Sequence, residues 1–448
     1  MIYLLSYALS LLMGYLFCRL ILAKEGKCST GLFIVLASGL GLGISAEITF
    51  YSYVFFNKLL PVFVLSTHGV VLVILTLLNI PTFKNVKFTL NWGAIKNPFG
   101  FLIALLFAIT LIPFWIQLNF YPLGGWDAWS CWNLKSRFLF LGGDQWKNML
   151  DPILWRSSPH YPILLPLLNV WGWILSNYPT HTIPLTNALL FTLLTLGALF
   201  FGLKTYSNNL LAAIGVFLLS TLYFFVQLAA SQYSDIIVAY FLLTGLICFL
   251  AGQNNKSAPM ALISGLMLGF LSFSKSEGTV ASLLAALIAL TCLFIGQNAK
   301  NVQSKKLAVY FVVGLLLTAL PTILFQILYA PANQTFINGF ASATHPAGIN
   351  RLKIIFGFLF LEIVSAKWNG IWLLLLAGLF LTKGKCLNAE MRIFPLFLVS
   401  YILIVCFYYF TNTYFEITWW LSVSLNRILF SILPVMVFWV FASLKENK

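Results

Sequence analysis

The chain alternates apolar runs of about 18–25 residues with short polar breaks. A helix of about 20 residues is what crosses a hydrocarbon core of about 30 Å. Thirteen such runs can be marked, at about 2–23, 31–55, 59–80, 99–120, 183–203, 209–229, 236–252, 258–274, 279–298, 307–329, 368–383, 393–411 and 427–444. They predict an all-α, polytopic transmembrane bundle. A further stretch at 162–176, containing ILLPLLNVWGWIL, is shorter and interrupted by proline, and reads as a re-entrant or interfacial helix. Residues 1–23 lack a basic leading region and a small-residue cleavage site, so they read as a first span and not as a signal peptide.

Composition closes off the other classes. Of 448 residues, 60% are hydrophobic and 8% charged, against about 25% charged in an average globular domain. Soluble, disordered and fibrous readings are excluded, and no stretch is polar for long enough to make a separate soluble domain. The seven cysteines lie mostly in or beside apolar runs, without metal spacing, and read as small buried hydrophobes.

The net charge of +15 is informative only once sorted by side. With the N-terminus outside and the C-terminus inside, 16 of the 26 basic residues fall in inner loops, among them Lys24, Lys27, Lys84, Lys87, Lys96, Lys204, Lys256, Lys300, Lys385, Arg392, Lys445 and Lys448. This follows the positive-inside rule. Eight of the eleven acids, including Glu47, Asp127, Asp235, Glu277, Glu362 and Glu416, fall at or near the outer face with a minority of cations, Arg427 among them. Acids contribute little to topology, so their gathering marks a working face outside the cytoplasm.

Two outer stretches stand out by length, 121–182 and 330–367. The first is too aromatic to be disordered and is expected to pack as short interfacial helices, with Trp126, Trp129 and Trp132 at headgroup depth. Asp127 sits among these tryptophans, where partial desolvation favours general-base character. The same residue would also serve as a plain N-cap for the helix that follows. Lys135 and Arg137, then Arg156, His160 and Tyr161, suit a phosphate headgroup, or else snorkel toward anionic lipid. Asp235 opens a span, where charge is costly and functional by default. Lys275 and Glu277 form a charged turn, which would also serve as a local ion pair capping two helix ends. Glu47 lies deep in the second span and is expected to be paired or protonated, whereas His68 and His181 read as structural. His345 and Glu416 are loop residues with weaker claims. No phosphate-binding glycine loop, HExxH or CxxC is present, which disfavours a nucleotide-driven pump.

Four segments carry a resemblance: Gly125-Trp126-Asp127-Ala128-Trp129 with Trp132, Lys135 and Arg137; His160-Tyr161-Pro162-Ile163-Leu164-Leu165-Pro166; Tyr233-Ser234-Asp235 with Ala239 and Phe241; and Lys275-Ser276-Glu277-Gly278. In this order they resemble the GT-C superfamily of membrane glycosyltransferases, in particular the protein O-mannosyltransferase and aminoarabinose transferase groups, over about 99–380. The resemblance implies transfer of a sugar from a polyprenyl-phosphate donor to a glycan, lipid or protein acceptor at the periplasmic side of a bacterial inner membrane. Asp127 would be the catalytic base. Lys135, Arg137, Arg156, His160, Tyr161, Asp235, Lys275 and Glu277 would line the donor side. No cofactor, metal or nucleic acid is expected. The family places its large loop after the first span; here three spans precede the one leading into it, which implies a three-span N-terminal unit at 1–97 before a membrane domain at 98–448. Relatives often carry a second carboxylate just before the Tyr-Pro step, where this chain has Ser158-Pro159-His160, hence the expectation of a metal-independent site. A flippase for a lipid-linked saccharide, and a lipid-linked oligosaccharide ligase or polymerase, are the competing readings.

Overall fold

A computed structural model describes residues 2–22, 28–83, 98–294, 302–341 and 348–444, and among these no strand occurs. The helices are α1 (Leu4–Leu22), α2 (Thr30–Phe56), α3 (Pro61–Phe83), α4 (Pro98–Phe120), α5 (Asn133–Leu141), α6 (Leu164–Ser176), α7 (Thr182–Tyr206), α8 (Asn209–Ser220), α9 (Tyr223–Ala230), α10 (Asp235–Asn255), α11 (Ala258–Ser274), α12 (Ser276–Phe294), α13 (Val302–Leu328), α14 (Gln334–Ala341), α15 (Ile349–Val364), α16 (Ile371–Leu381), α17 (Ile393–Thr411) and α18 (Ile417–Ser443). All thirteen apolar runs fall on helices. Among the described residues, nine helices are long and apolar enough to cross a bilayer, or ten if the α8–α9 pair is one span bent by 65°. Some of the others are short: the 11 residues of α16 rise only about 16 Å.

The outer stretch at 330–367 is mostly helical rather than a loop, because its apolar run 349–364 makes all of α15. His345 lies outside the described residues, as do Lys24, Lys27, Lys84, Lys87, Lys96, Lys300, Lys445, Lys448 and the 97/98 boundary.

The centre of the bundle is α10, whose residues 235–252 are all buried, against α7, α11 and α18. Close helix approach is made possible by glycine where α11 meets α13: a Cβ on Gly265 would stand 2.0 Å from the Phe311 carbonyl oxygen. α1 and α2 pack on α6, and Trp171 Nε1 donates to the Ser10 hydroxyl at 2.9 Å. α6 itself, expected as a re-entrant or interfacial helix, is buried along 164–174, because α1, α2, α5 and α7 pack around it.

The two ends of the bundle differ. At one end Gln303 donates to the Lys256 carbonyl, Arg392 to the Cys292 carbonyl and Trp439 to the Cys386 carbonyl. That end carries Lys204, Lys256, Lys385 and Arg392. The other end gathers the C-terminus of α2, the segment 121–163, the start of α10, the α11–α12 turn and the end of α13. Tyr53 donates to the Leu139 carbonyl there, and Gln326 to the His160 carbonyl.

Candidate functional site

The cap at this second end begins with Gly124-Gly125. Gly124 has φ +79°, in the left-handed region, and a Cβ there would stand 2.7 Å from the Ser231 carbonyl oxygen. The Gly125 N–H donates to that same carbonyl at 3.0 Å. A π-type turn over Ala128–Trp132 then leads into α5. A buried polar chain fixes this cap on the bundle. Asn133 donates to Gln232 at 2.9 Å, Asn169 to Asn133 at 3.2 Å, Asn187 to Asn169 at 2.8 Å and the Tyr7 hydroxyl to Asn187 at 2.9 Å. Buried amides in a satisfied chain hold one arrangement, since breaking any link strands a polar group out of reach of water.

This scaffold brings five charges from four parts of the chain into contact. Arg427, in the eleventh position of α18, donates from Nη1 to Asp127 Oδ2 at 2.6 Å and from Nη2 to Asp235 Oδ2 at 2.8 Å. Its Nε also reaches Asp235 Oδ2, at 3.2 Å. Lys275 Nζ donates to Asp235 Oδ1 at 3.0 Å and lies 3.3 Å from Glu277 Oε1. The guanidinium carbon sits 4.7 Å from the centroid of the Tyr233 ring. Asp235, with its side chain 3% exposed, is the shared counter-ion; Asp127, at 29%, faces outward from the same arginine. Burial and Arg427 push Lys275 down, but the carboxylates of Asp235, Glu277 and Asp127 outweigh them and hold it above the ordinary lysine range.

A second group of residues adjoins this one across the Tyr161 ring. Lys135 Nζ lies 5.8 Å from its centroid and Lys275 Nζ 5.9 Å. Lys135 is completely buried and donates to the Ser158 carbonyl at 2.6 Å. It has no carboxylate partner among the described residues, and burial pushes it below the ordinary lysine range. His160, with its ring edge-on to Tyr161, is pulled down to about 4 by burial and by Lys135, so it is neutral at pH 7. Burial pushes the Tyr161 phenol well up. The buried polar atoms without a partner among the described residues include the indole N–H of Trp132 and Glu277 Oε2.

The expected residues sort accordingly. Asp127, Asp235, Lys275 and Glu277 come together in one cluster, and Lys135, His160 and Tyr161 in its neighbour. Arg137 and Arg156 are not brought there: both are exposed, and the Arg156 guanidinium lies over the exposed Trp155 ring at 5.2 Å. The N-cap role for Asp127 is overturned, since its backbone is already helical and its carboxylate makes no cap hydrogen bond. Lys275 pairs locally with Glu277 as the plainer reading had it, but its hydrogen bond goes to Asp235, 40 residues away. Trp126 and Trp129 are exposed, whereas Trp132, expected with them at headgroup depth, is buried against Tyr161. Glu416 caps α18, accepting from the Thr418 and Trp419 backbone N–H groups. His68 is structural, stacked on Trp171 at 3.8 Å.

Arg427 and Tyr233 are the residues that sequence reasoning left out of the site. The signal for Arg427 was present: an arginine inside the apolar run LSVSLNRILFSIL is costly enough to demand a partner. Compared with known proteins, the chain matches no protein-family model, no curated protein and no solved structure.

Proposed function

We propose that this protein is a membrane-embedded glycosyltransferase that moves a sugar from a polyprenyl-phosphate donor to an acceptor hydroxyl, at the end of the bundle carrying Asp127. The observation that carries the reading is the Asp127–Arg427–Asp235–Lys275 cluster beside an unpaired buried lysine. On this reading a carboxylate base stands beside an anion site. The anomeric carbon of such a donor already bears a phosphate leaving group. In the proposed step the acceptor oxygen bonds to that carbon, the carbon–phosphate oxygen bond breaks, and Asp127 takes the hydroxyl proton. Attack opposite the leaving group inverts the anomeric centre.

The residues divide the work. Arg427 holds Asp127 by one oxygen and leaves the other to the acceptor. It is a positioning residue, itself fixed by Asp235. Lys135, the buried cation without a carboxylate, receives the departing phosphate, with the neutral His160 as a hydrogen-bonding neighbour. The Trp132 N–H and Glu277 Oε2 are free to address sugar hydroxyls. Charge sorting along the chain supports a site outside the cytoplasm, an inside C-terminus and up to thirteen crossings, in a bacterial inner membrane. A flippase would be expected to carry clustered charge along a path through the bundle, whereas here the paired carboxylates and cations sit together at one end.

The test is donor binding. In lipid nanodiscs, Lys135→Met is expected to weaken binding of a polyprenyl phosphate by about 10–100-fold, the worth of one charge-assisted hydrogen bond. Arg137→Ala, at an exposed position, should leave it near normal. Unchanged binding by Lys135→Met would contradict the phosphate assignment.

A further inference from the structure

One buried carboxyl group lies apart from the charged cluster. Glu47 is on α2, and its Oε1 is buried with no hydrogen-bond partner among the described residues. It borders a cavity of about 320 Å³ whose walls include Phe17 of α1, Ile44 of α2, Leu75 of α3, Phe270 of α11 and Thr318 of α13. Thr318, the other polar side chain in the wall, spends its hydroxyl on the Leu266 carbonyl at 2.7 Å. Ile74 and Leu317, 49% and 58% exposed respectively, make an apolar lip between α3 and α13. Such a lip, midway along two apolar helices, suits contact with hydrocarbon rather than water. Along α2 and α11, the Phe50–Phe273 ring pair, 5.5 Å between centroids, stands between this cavity and the charged turn at Lys275. The cavity is thus separate from the Asp127 site, and its occupancy is independent of the glycosyltransferase reading.

We propose that this cavity binds a lipophilic amine, an aliphatic chain of about ten carbons whose amino group pairs with the Glu47 carboxyl. The volume sets the size, since roughly ten groups of about 30 Å³ each fill it. The apolar walls and lip set the entry route, from within the membrane. The acid sets the head group. Ionisable side chains at such depth are almost always paired, and no cation of the chain meets Glu47 among the described residues. An amine is the acid's complement whichever partner holds the proton. A fatty acid would set two acids face to face, and an alcohol would bring no base.

The experiment uses the full chain in lipid nanodiscs and a hydrophobic carbodiimide, which labels carboxyl groups reached from lipid; the labelled peptide is quantified by mass spectrometry. Glu47 is expected to label, with Glu47→Gln as the assignment control. N,N-dimethyldecylamine at about ten times its dissociation constant should lower that labelling about ten-fold. Decanol and decanoate should leave it unchanged. Absence of label at Glu47 would show that lipid does not reach it and would overturn the proposal. Protection by decanol equal to that by the amine, or no protection by the amine, would overturn it as well.

Discussion

At the scale of single residues, one arginine decides how the site is assembled. Arg427 spends its guanidinium on two carboxylates from distant parts of the chain, and Lys275 completes the neutralisation of Asp235. The sequence made Asp127, Asp235 and Lys275 legible because each lies beside an apolar run and at the same end. It did not reveal Arg427 as their link, because pairing across 192 and 300 residues has no local signature. His160 yields a pH prediction. Its folded value, about 4, lies below the unfolded value near 6.5, so the unfolded chain binds more protons between them. Stability contributed by the neutral imidazole is present above pH 6.5 and lost as pH falls toward 4. The fall in melting temperature between pH 7 and pH 5 should therefore be smaller for His160→Asn than for the wild type. An equal fall would place the imidazole in water.

At the scale of elements, apolar length predicted where the helices lie but not how they end or bend. The run at 209–229 is two helices broken at Thr221-Leu222, and 349–364 is a helix the loop assignment missed. The cap's geometry was the least legible part, since it depends on the buried Tyr7–Asn187–Asn169–Asn133–Gln232 chain, whose members are single polar residues from separate parts of the sequence. Gly124 tests how the cap is seated. Gly124→Ala meets both a left-handed backbone and the Ser231 carbonyl, whereas Gly143→Ala meets a left-handed backbone (φ +52°) with open space around it. The second should cost roughly the 1–2 kcal/mol of the backbone term. The first should cost more and speed limited proteolysis within 121–163. Equal losses would mean that the Gly124–Ser231 approach does not seat the cap.

For the whole molecule, composition and charge sorting made the class legible, and the structure separates the end carrying Lys204, Lys256, Lys385 and Arg392 from the end that holds the clustered carboxylates. Orientation can be checked directly in intact cells. A cysteine placed at exposed Asn148 should react with an impermeant maleimide, and one at exposed Asn209 should not. The reverse pattern would move the site to the cytoplasm.

The central claim is that Asp127 is a base rather than only a member of an ion-pair cluster. Asp127→Asn keeps size and leaves Arg427 paired with Asp235, so the protein should fold and be expressed normally. Asp235→Asn instead removes the buried counter-ion that Arg427 and Lys275 share, leaving them only Asp127 and Glu277, and should be more destabilising than Asp127→Asn. The deciding measurement is transfer of radiolabelled sugar from a polyprenyl-phosphate donor pool in membranes containing folded Asp127→Asn protein. The account predicts transfer reduced by about 10²–10⁴-fold, the usual worth of a positioned base. Transfer at the wild-type rate would contradict it.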